Sequence, residues 1–140
     1  MTRAEVEQLV ERGSAGWRER NVDLLVSTRA DDCVVESPAH GTMTGRAQIA
    51  EGFQAWLNAF PDARFDVTDL LVEGDRVVMM WRLGGTHSAM LLGLPATGRR
   101  LQIGGVSLYT LRDGLISHER RFYDVTALMV QMGILKARPS

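Results

Sequence analysis

The sequence of 140 residues predicts an α+β fold, in which helices come first and a run of antiparallel strands follows. From Val6 to Phe60, most apolar residues recur every three or four positions, which is the spacing of helices that bury one face. From Phe65 onward the chain carries β-rich runs instead, and Gly-Asp or Asp-Gly pairs mark hairpin turns between them. The length is typical of one domain, residues 1–140.

Two helices are predicted at the start of the chain. Thr2 and Glu5 have the spacing of a capping box, so the first helix begins there. Asn21 can cap a second, short helix that turns Leu24 and Leu25 inward. The inward face of the first helix consists of Val6, Leu9, Val10, Gly13 and Trp17.

A short strand and a third helix are predicted next. The β-rich segment CVVES, residues 33–37, predicts a strand that Pro38 ends. The segment 45–62 predicts a helix that stops at Pro61. Its apolar face consists of Ile49, Phe53, Trp56, Leu57 and Phe60.

Four long β-rich runs predict a four-stranded antiparallel sheet. The runs are residues 65–73, 76–83, 99–111 and 115–124. Gly104 and Gly105, inside the third run, predict a bulge or a sharp bend. Asp124 can cap a last helix that Gly133 ends. A sheet bent at the glycine pair and covered by the helices would form a cone with an open wide end.

The segment GTHSAMLLGLPATG, residues 85–98, joins the second and third long strands. Four large apolar side chains lie between residues that break regular structure: Met90, Leu91, Leu92 and Leu94. They either fill the core or line the mouth of an apolar pocket. We expect this segment to close the wide end of the cone.

The composition excludes several classes of partner. Lysine and arginine total 16, and aspartate and glutamate total 17. The chain therefore lacks the excess of basic residues that is typical of nucleic-acid binding, and we expect no nucleic-acid partner. No apolar run approaches the roughly 20 residues of a membrane-spanning helix, so we expect no membrane partner.

The N-terminus lacks a signal-peptide pattern, which favours a cytoplasmic location. Cys33, the single cysteine, is interpreted as a small buried hydrophobe.

No metal or cofactor is predicted. The histidines His40, His87 and His118 are too far apart in sequence for a metal-binding motif. The chain also lacks the glycine-rich motifs that bind phosphate groups.

Several motifs together resemble one known family. The pieces AFPD, GTH followed by G-L-P-A-T-G, L-R-D-G-L-I and YDVTALMVQMG are similar to the SnoaL-like polyketide cyclases of the nuclear transport factor 2-like superfamily. The resemblance extends over about residues 3–134. It implies an α+β cone and a cofactor-free aldol-type cyclisation of a polyketide. The same fold also hosts isomerases, dehydratases, epoxide hydrolases and proteins that only bind ligands.

The resemblance also implies catalytic positions. The family carries a catalytic acid on the strand after the Asp-Gly turn, where Glu119 replaces the usual aspartate. A second acid, just before the last helix, is matched by Asp124. Arg120 stands where the family commonly has an aromatic residue.

Residues 115–124 allow two interpretations. Side chains alternate along a strand, so Glu119, Arg121 and Tyr123 share one face. Either the strand is an exposed edge held by ion pairs, or Glu119 and Arg121 point into the cone. In the second case we expect the apolar surroundings to raise the pKa of Glu119 towards neutrality, as suits a general acid or base. Arg121 would lower that pKa and could stabilise an enolate oxygen.

The other candidate residues keep two interpretations each. Asp124 is a helix cap or a catalytic acid, and His87 is a structural group or polarises a carbonyl. Glu36 is a second pocket carboxylate that could divide acid and base roles with Glu119. The predicted substrate-binding residues are Glu36, Phe53, Trp81, Met90, Leu92, Tyr109 and Tyr123, and the aromatic members could equally be core.

The leading hypothesis is a cofactor-free enzyme for an apolar carbonyl substrate. Glu119 would move the proton, and His87 or Arg121 would polarise the carbonyl. The alternatives are isomerisation in the same cone, or a non-catalytic ligand-binding or assembly domain. We also expect a homodimer that pairs through the outer face of the sheet.

Overall fold

The computed structural model describes residues 1–136 and confirms the predicted α+β class. Four helices and six strands lie in this part of the chain. The helices are α1 (Arg3–Arg18), α2 (Val22–Val26), α3 (Gly45–Ala59) and α4 (Val125–Gln131). The strands are β1 (Arg29–Ser37), β2 (Gly41–Thr44), β3 (Arg64–Glu73), β4 (Arg76–Thr86), β5 (Arg100–Arg112) and β6 (Leu115–Tyr123).

The helix starts follow the capping signals in the sequence. At α1, the Glu5 amide donates to the Thr2 hydroxyl and the Thr2 amide donates to the Glu5 carboxylate, both at 3.2 Å. The side chain of Asn21 caps α2 by accepting from the amide of Leu24. These predictions are confirmed because caps act between residues close in sequence.

The sheet is larger than predicted. Its six strands have the order β2-β1-β6-β5-β4-β3, and only the β1–β6 pair is parallel. The strand predicted at residues 33–37 begins earlier, at Arg29, and β2 was missed altogether. Both misses have one cause: Arg29 to Asp32 and the four residues of β2 are mostly small or polar, and pairing with neighbours makes them strands.

The helices cover one face of the curved sheet, which we call the inner face. Along β4, Val77, Met79, Trp81 and Leu83 alternate inward and are buried. They form one core with the apolar faces of α1 and α3. None of the helices in residues 1–136 is long and apolar enough to cross a membrane.

Gly105 makes room for an aromatic ring instead of forming a bulge. The β4–β5 pairing stays in register through Gly104 and Gly105, so of the two predicted features the bulge is wrong, and the sharp bend stays a prediction. Trp81, Gly105 and Tyr123 lie side by side on three neighbouring strands. A Cβ atom at Gly105 would lie 2.2 Å from the Trp81 ring, and the Trp81 and Tyr123 ring centroids are 6.2 Å apart.

The segment 87–98 packs on the core at the end of the sheet. Leu91 is buried, and it exchanges two backbone hydrogen bonds with Leu94 in a tight turn. Leu92 and Leu94 pack partly against the core, whereas Met90 is exposed. Of the two interpretations, core filling is the one observed for Leu91, Leu92 and Leu94.

We expect Gly105→Ala to destabilise the fold by about 1–3 kcal/mol, because the added methyl group overpacks a closely packed core. Gly104→Ala is the matched control, since the nearest atom to its Cβ position is the Trp81 carbonyl oxygen at 3.8 Å. Urea unfolding measures both variants. Equal stability of the two variants would contradict the close approach of Trp81 to Gly105.

Candidate functional site

A mainly apolar cavity lies between the inner face of the sheet and helices α1 and α3. The space open to the centres of water molecules is about 70 Å³. Aromatic residues form much of its wall. Those from the helices and the sheet are Trp17, Phe53, Trp56, Phe65, Trp81, Tyr109 and Tyr123.

β6 supplies two of the three charged residues that line this cavity. β6 lies between β1 and β5, so it is not an edge strand. Its alternation places Glu119, Arg121 and Tyr123 among the cavity-lining residues, while Arg120 and Phe122 are exposed on the opposite, outer face. Of the two interpretations of this strand, the inward-facing one is therefore observed.

Glu119 is buried in a set of charged contacts. Arg121 holds it in a two-point ion pair, with Nε 2.9 Å from Oε2 and Nη2 3.1 Å from Oε1. Arg29 Nη2 lies 2.8 Å from Oε1. The hydroxyl of Ser107 donates to Oε2 at 2.7 Å and itself accepts from the indole N–H of Trp81 at 3.0 Å. Three side chains therefore make four contacts with a carboxylate that has about four lone-pair positions.

The expected rise in the pKa of Glu119 is wrong. Burial alone raises this pKa, but the positive charges of Arg121 and Arg29 and the hydrogen bonds from Arg121 and Ser107 lower it far below its ordinary value. Glu119 is therefore a stable carboxylate at neutral pH. Only Arg121 was expected at this carboxylate from the sequence, whereas the fold also brings Arg29 to it.

Arg29 is the site residue that the sequence analysis missed. It lies at the start of β1, and its guanidinium is buried over the rings of Phe53 and Tyr109. The same Phe53 ring also lies under the guanidinium of Arg121, at 5.7 Å. In the sequence Arg29 stands only as an arginine four positions before the segment CVVES, and arginine is mostly exposed in proteins.

A second polar group lies beside the cavity. The hydroxyls of Tyr123 and Ser37 are 3.2 Å apart, and the indole N–H of Trp56 donates to Nε2 of His40 at 2.9 Å. Burial and the charge of Arg121 lower the pKa of His40, so its ring is neutral. No role in the site was predicted for His40 from the sequence.

Three residues predicted to bind substrate lie outside the cavity lining. Glu36 is on the outer face, where it pairs with His118 and Arg120. The idea of a Glu36–Glu119 pair is therefore wrong, since the two side chains lie on opposite faces of the sheet. Met90 is 65% exposed and Leu92 belongs to the core-packing turn, so segment 85–98 does not line the cavity.

His87 and Asp124 also lie away from the cavity lining. His87 is buried and holds its own loop, because Nδ1 accepts from the amide of Thr97 and lies 3.0 Å from the Thr97 hydroxyl. Burial lowers the pKa of His87. Asp124 is exposed and caps α4 by accepting from the amide of Ala127 at 2.9 Å.

The remaining predicted residues come together. Glu119, Arg121, Phe53, Trp81, Tyr109 and Tyr123 all line the cavity. Burial and the charge of Glu119 raise the pKa of Tyr109, so its hydroxyl stays neutral. Within residues 1–136, no group of three or more side chains is arranged to hold a metal ion.

Comparisons with known proteins agree with the resemblance seen in the motifs. The sequence pattern of SnoaL-like polyketide cyclases matches residues 7–132. TsrD from Streptomyces laurentii is 28% identical, with a TM-score of 0.88 and coverage of 96% of this chain and 99% of TsrD. A protein from Jannaschia sp. CCS1, named as a candidate SnoaL-like polyketide cyclase, is 27% identical, with a TM-score of 0.82 and coverage of 96% and 93%.

AclR from Streptomyces galilaeus, named as a candidate hydroxylase, shares the fold. It is 24% identical, with a TM-score of 0.86 and coverage of 99% of this chain and 91% of AclR. A search of curated proteins gives no match.

We expect Glu119→Gln to lower the free energy of unfolding by about 3–5 kcal/mol, because it leaves the buried Arg29 and the partly buried Arg121 without their counter-charge. Glu36→Gln is the control, since an exposed ion pair contributes at most about 1 kcal/mol. Urea unfolding at neutral pH compares the variants. A loss no greater than that of Glu36→Gln would show that the buried ion pairs do not hold the fold.

The difference in stability between the wild type and Glu119→Gln should depend on pH. The pKa of Glu119 in the folded protein is below its ordinary value of 4.5. Its ion pairs therefore stabilise the fold fully above pH 4.5, and this contribution is lost as the pH falls through the lowered pKa. The difference in unfolding free energy between wild type and Glu119→Gln should shrink below that pH.

Proposed function

This chain belongs to the SnoaL-like polyketide cyclase family, and we propose that it is a cofactor-free enzyme that enolises an apolar carbonyl substrate. The reaction is an aldol-type cyclisation or a related isomerisation. The observation that carries this proposal is the ion-paired Glu119 and Arg121 on the wall of an otherwise mainly apolar cavity. A bound ketone would meet both an acid–base group and a cation there.

Arg121 is the residue to which we assign the substrate oxygen. Its Nε and Nη2 bind Glu119, so Nη1 is not engaged by that carboxylate. A cation in an apolar cavity stabilises the negative charge that develops on an enolate oxygen. His87, the other candidate for this role, lies outside the lining and is not included.

Glu119 is the group to which we assign the proton. Its lone pairs are occupied in the resting site, and it accepts a proton only when one of its partners moves. When Arg121 turns to the substrate oxygen, Glu119 loses its two-point ion pair and its pKa rises. Binding of the carbonyl would therefore activate the base that removes the neighbouring proton.

The size of the cavity favours a small substrate. The space of about 70 Å³ open to the centres of water molecules is of the same order as the roughly 150 Å³ of a cavity that can bind benzene. We therefore propose a substrate of about one ring, folded against Phe53, Trp81 and Tyr109.

A second candidate function is non-catalytic binding of a small apolar molecule. The observation that favours it is the full occupation of Glu119 by Arg29, Arg121 and Ser107. If the protein only binds a ligand, the role of Glu119 is to hold the two arginines in place. Turnover separates the two candidates, because both predict ligand binding.

We expect the wild-type protein to speed the exchange of α-protons of phenylacetone for deuterium, measured by NMR in D₂O. Arg121→Gln should lower this rate by at least about 10²-fold, as loss of one oxyanion donor does. Arg120→Gln is the matched control. The side chain of Arg120, the residue before Arg121, lies on the outer face and contacts Phe122. It should retain the wild-type rate.

Exchange at the rate of buffer alone would refute the enzymatic proposal and leave the binding function. Equal rates in the two arginine variants would refute the role of Arg121. Circular dichroism and urea unfolding must first show that both variants are folded.

We also propose the homodimer expected from the sequence, and we keep the cytoplasmic location as part of this proposal. The outer face of the sheet carries an apolar patch that includes Met80, Val106 and Phe122, which lie in register on three strands. Met80 is 42% and Phe122 is 51% exposed. Exposed apolar patches are typical of contact surfaces, and most homodimers use the same patch twice.

Sedimentation velocity should show a dimer at micromolar concentration for the wild type. Phe122→Glu should shift it to a monomer by placing a charge in the contact. Asn58→Glu, on the exposed side of α3, is the control and should stay a dimer. A monomeric wild-type protein would contradict the proposed dimer.

A further inference from the structure

The cavity wall carries an unbalanced charge. Of the residues that line it, Arg29 and Arg121 are positive and Glu119 is negative. The nearby acids of β1 do not compensate, because Asp31 and Asp32 are exposed and pair with Arg46 and Arg112. One positive charge on this wall therefore has no counter-charge from the described residues.

Two features make this excess charge available to a ligand. The Nε–H of Arg29 is buried and has no hydrogen-bond partner within residues 1–136. Nη1 of Arg121 is not used by Glu119, and Arg121 lines the same cavity. A buried cation and a buried N–H group without partners are both costly, so a ligand that satisfies them gains affinity.

We propose that this cavity binds a one-ring organic anion whose single negative charge is shared by two oxygens, such as a carboxylate or the enolate of a β-dicarbonyl compound. The proposal deepens the proposed function, and it rests on that function only in taking this cavity as the ligand site. The anion is the ligand as it arrives from solution, before any proton is removed.

The shape of the donors supports an anion with two oxygens. Guanidinium groups present planar pairs of N–H donors that match such anions. The rest of the wall is apolar and aromatic, with the ring of Phe53 beside both guanidiniums. A ligand therefore needs an anionic end and an apolar body, and a cationic ligand would be repelled by the excess charge.

The charge of the ligand can be tested on the wild-type protein alone. Phenylacetate, 2-phenylethanol and 2-phenylethylamine share an apolar ring and differ in charge. All three tryptophans of the chain line the cavity, so their fluorescence reports binding, and calorimetry in chloride-free buffer checks the Kd. We expect phenylacetate to bind about 10- to 100-fold more tightly than 2-phenylethanol, and 2-phenylethylamine to bind most weakly.

A second arm distinguishes the two kinds of anion. Dimedone is a β-dicarbonyl compound that is ionised at neutral pH, and its O-methyl enol ether is its neutral counterpart. Preference for dimedone over the ether identifies an enolate site, and preference for phenylacetate over the alcohol identifies a carboxylate site. Either preference supports the proposal.

Arg121→Gln removes the excess charge and should reduce the binding of the preferred anion to that of its neutral counterpart. Arg120→Gln should leave both affinities unchanged. Neutral ligands that bind as tightly as both anions, or equal losses in the two variants, would overturn the proposal.

The result of this binding test is independent of the result of the deuterium-exchange test of the proposed function. A protein that selects anions but does not exchange the protons of phenylacetone keeps the anion site and loses the enzymatic assignment. A protein that exchanges protons but binds anions and neutral ligands equally keeps the activity and loses the anion site.

Discussion

The buried carboxylate of Glu119 is the group on which the inner side of the sheet depends. It contacts Arg29 from β1, Arg121 from its own strand β6 and Ser107 from β5, and Ser107 links it to Trp81 on β4. Burying one of these charges without the others costs several kcal/mol. The four strands are therefore coupled through a single side chain, and the effects of substitutions in this set will not add.

The same arrangement divides the chemistry of the protein between two faces. Successive residues of β6 point to opposite sides, so Arg121 belongs to the cavity while Arg120 packs over Phe122 on the outer face. On the same outer face, Glu36 pairs with His118 and with Arg120. Two arginines that are neighbours in sequence thus have different partners, exposure and proposed roles.

Local signals made most of the fold predictable. The capping residues Thr2, Asn21 and Asp124 act on amides only three positions away, so the starts of three helices could be derived from spacing. The hairpin turns at Gly74 and Gly114, both with positive φ, likewise depend on adjacent residues. The early part of β1 could not be derived, because it pairs with β6, which is distant along the chain. β2 could not be derived because its residues are mostly small or polar and only pairing with β1 makes them a strand.

The sequence by itself determined which residues could form a polar site: it contained Glu119 and Arg121 two positions apart on a predicted strand, beside candidate aromatic residues. Tertiary structure alone decided that Arg29, 90 residues earlier in the chain (119 − 29), meets the same carboxylate and, together with Arg121, lowers its pKa. It also decided that Met90, His87 and Glu36 lie away from the cavity. The physical reason is that charge pairing and burial depend on distance in space, and one sequence specifies directly only the neighbours along the chain.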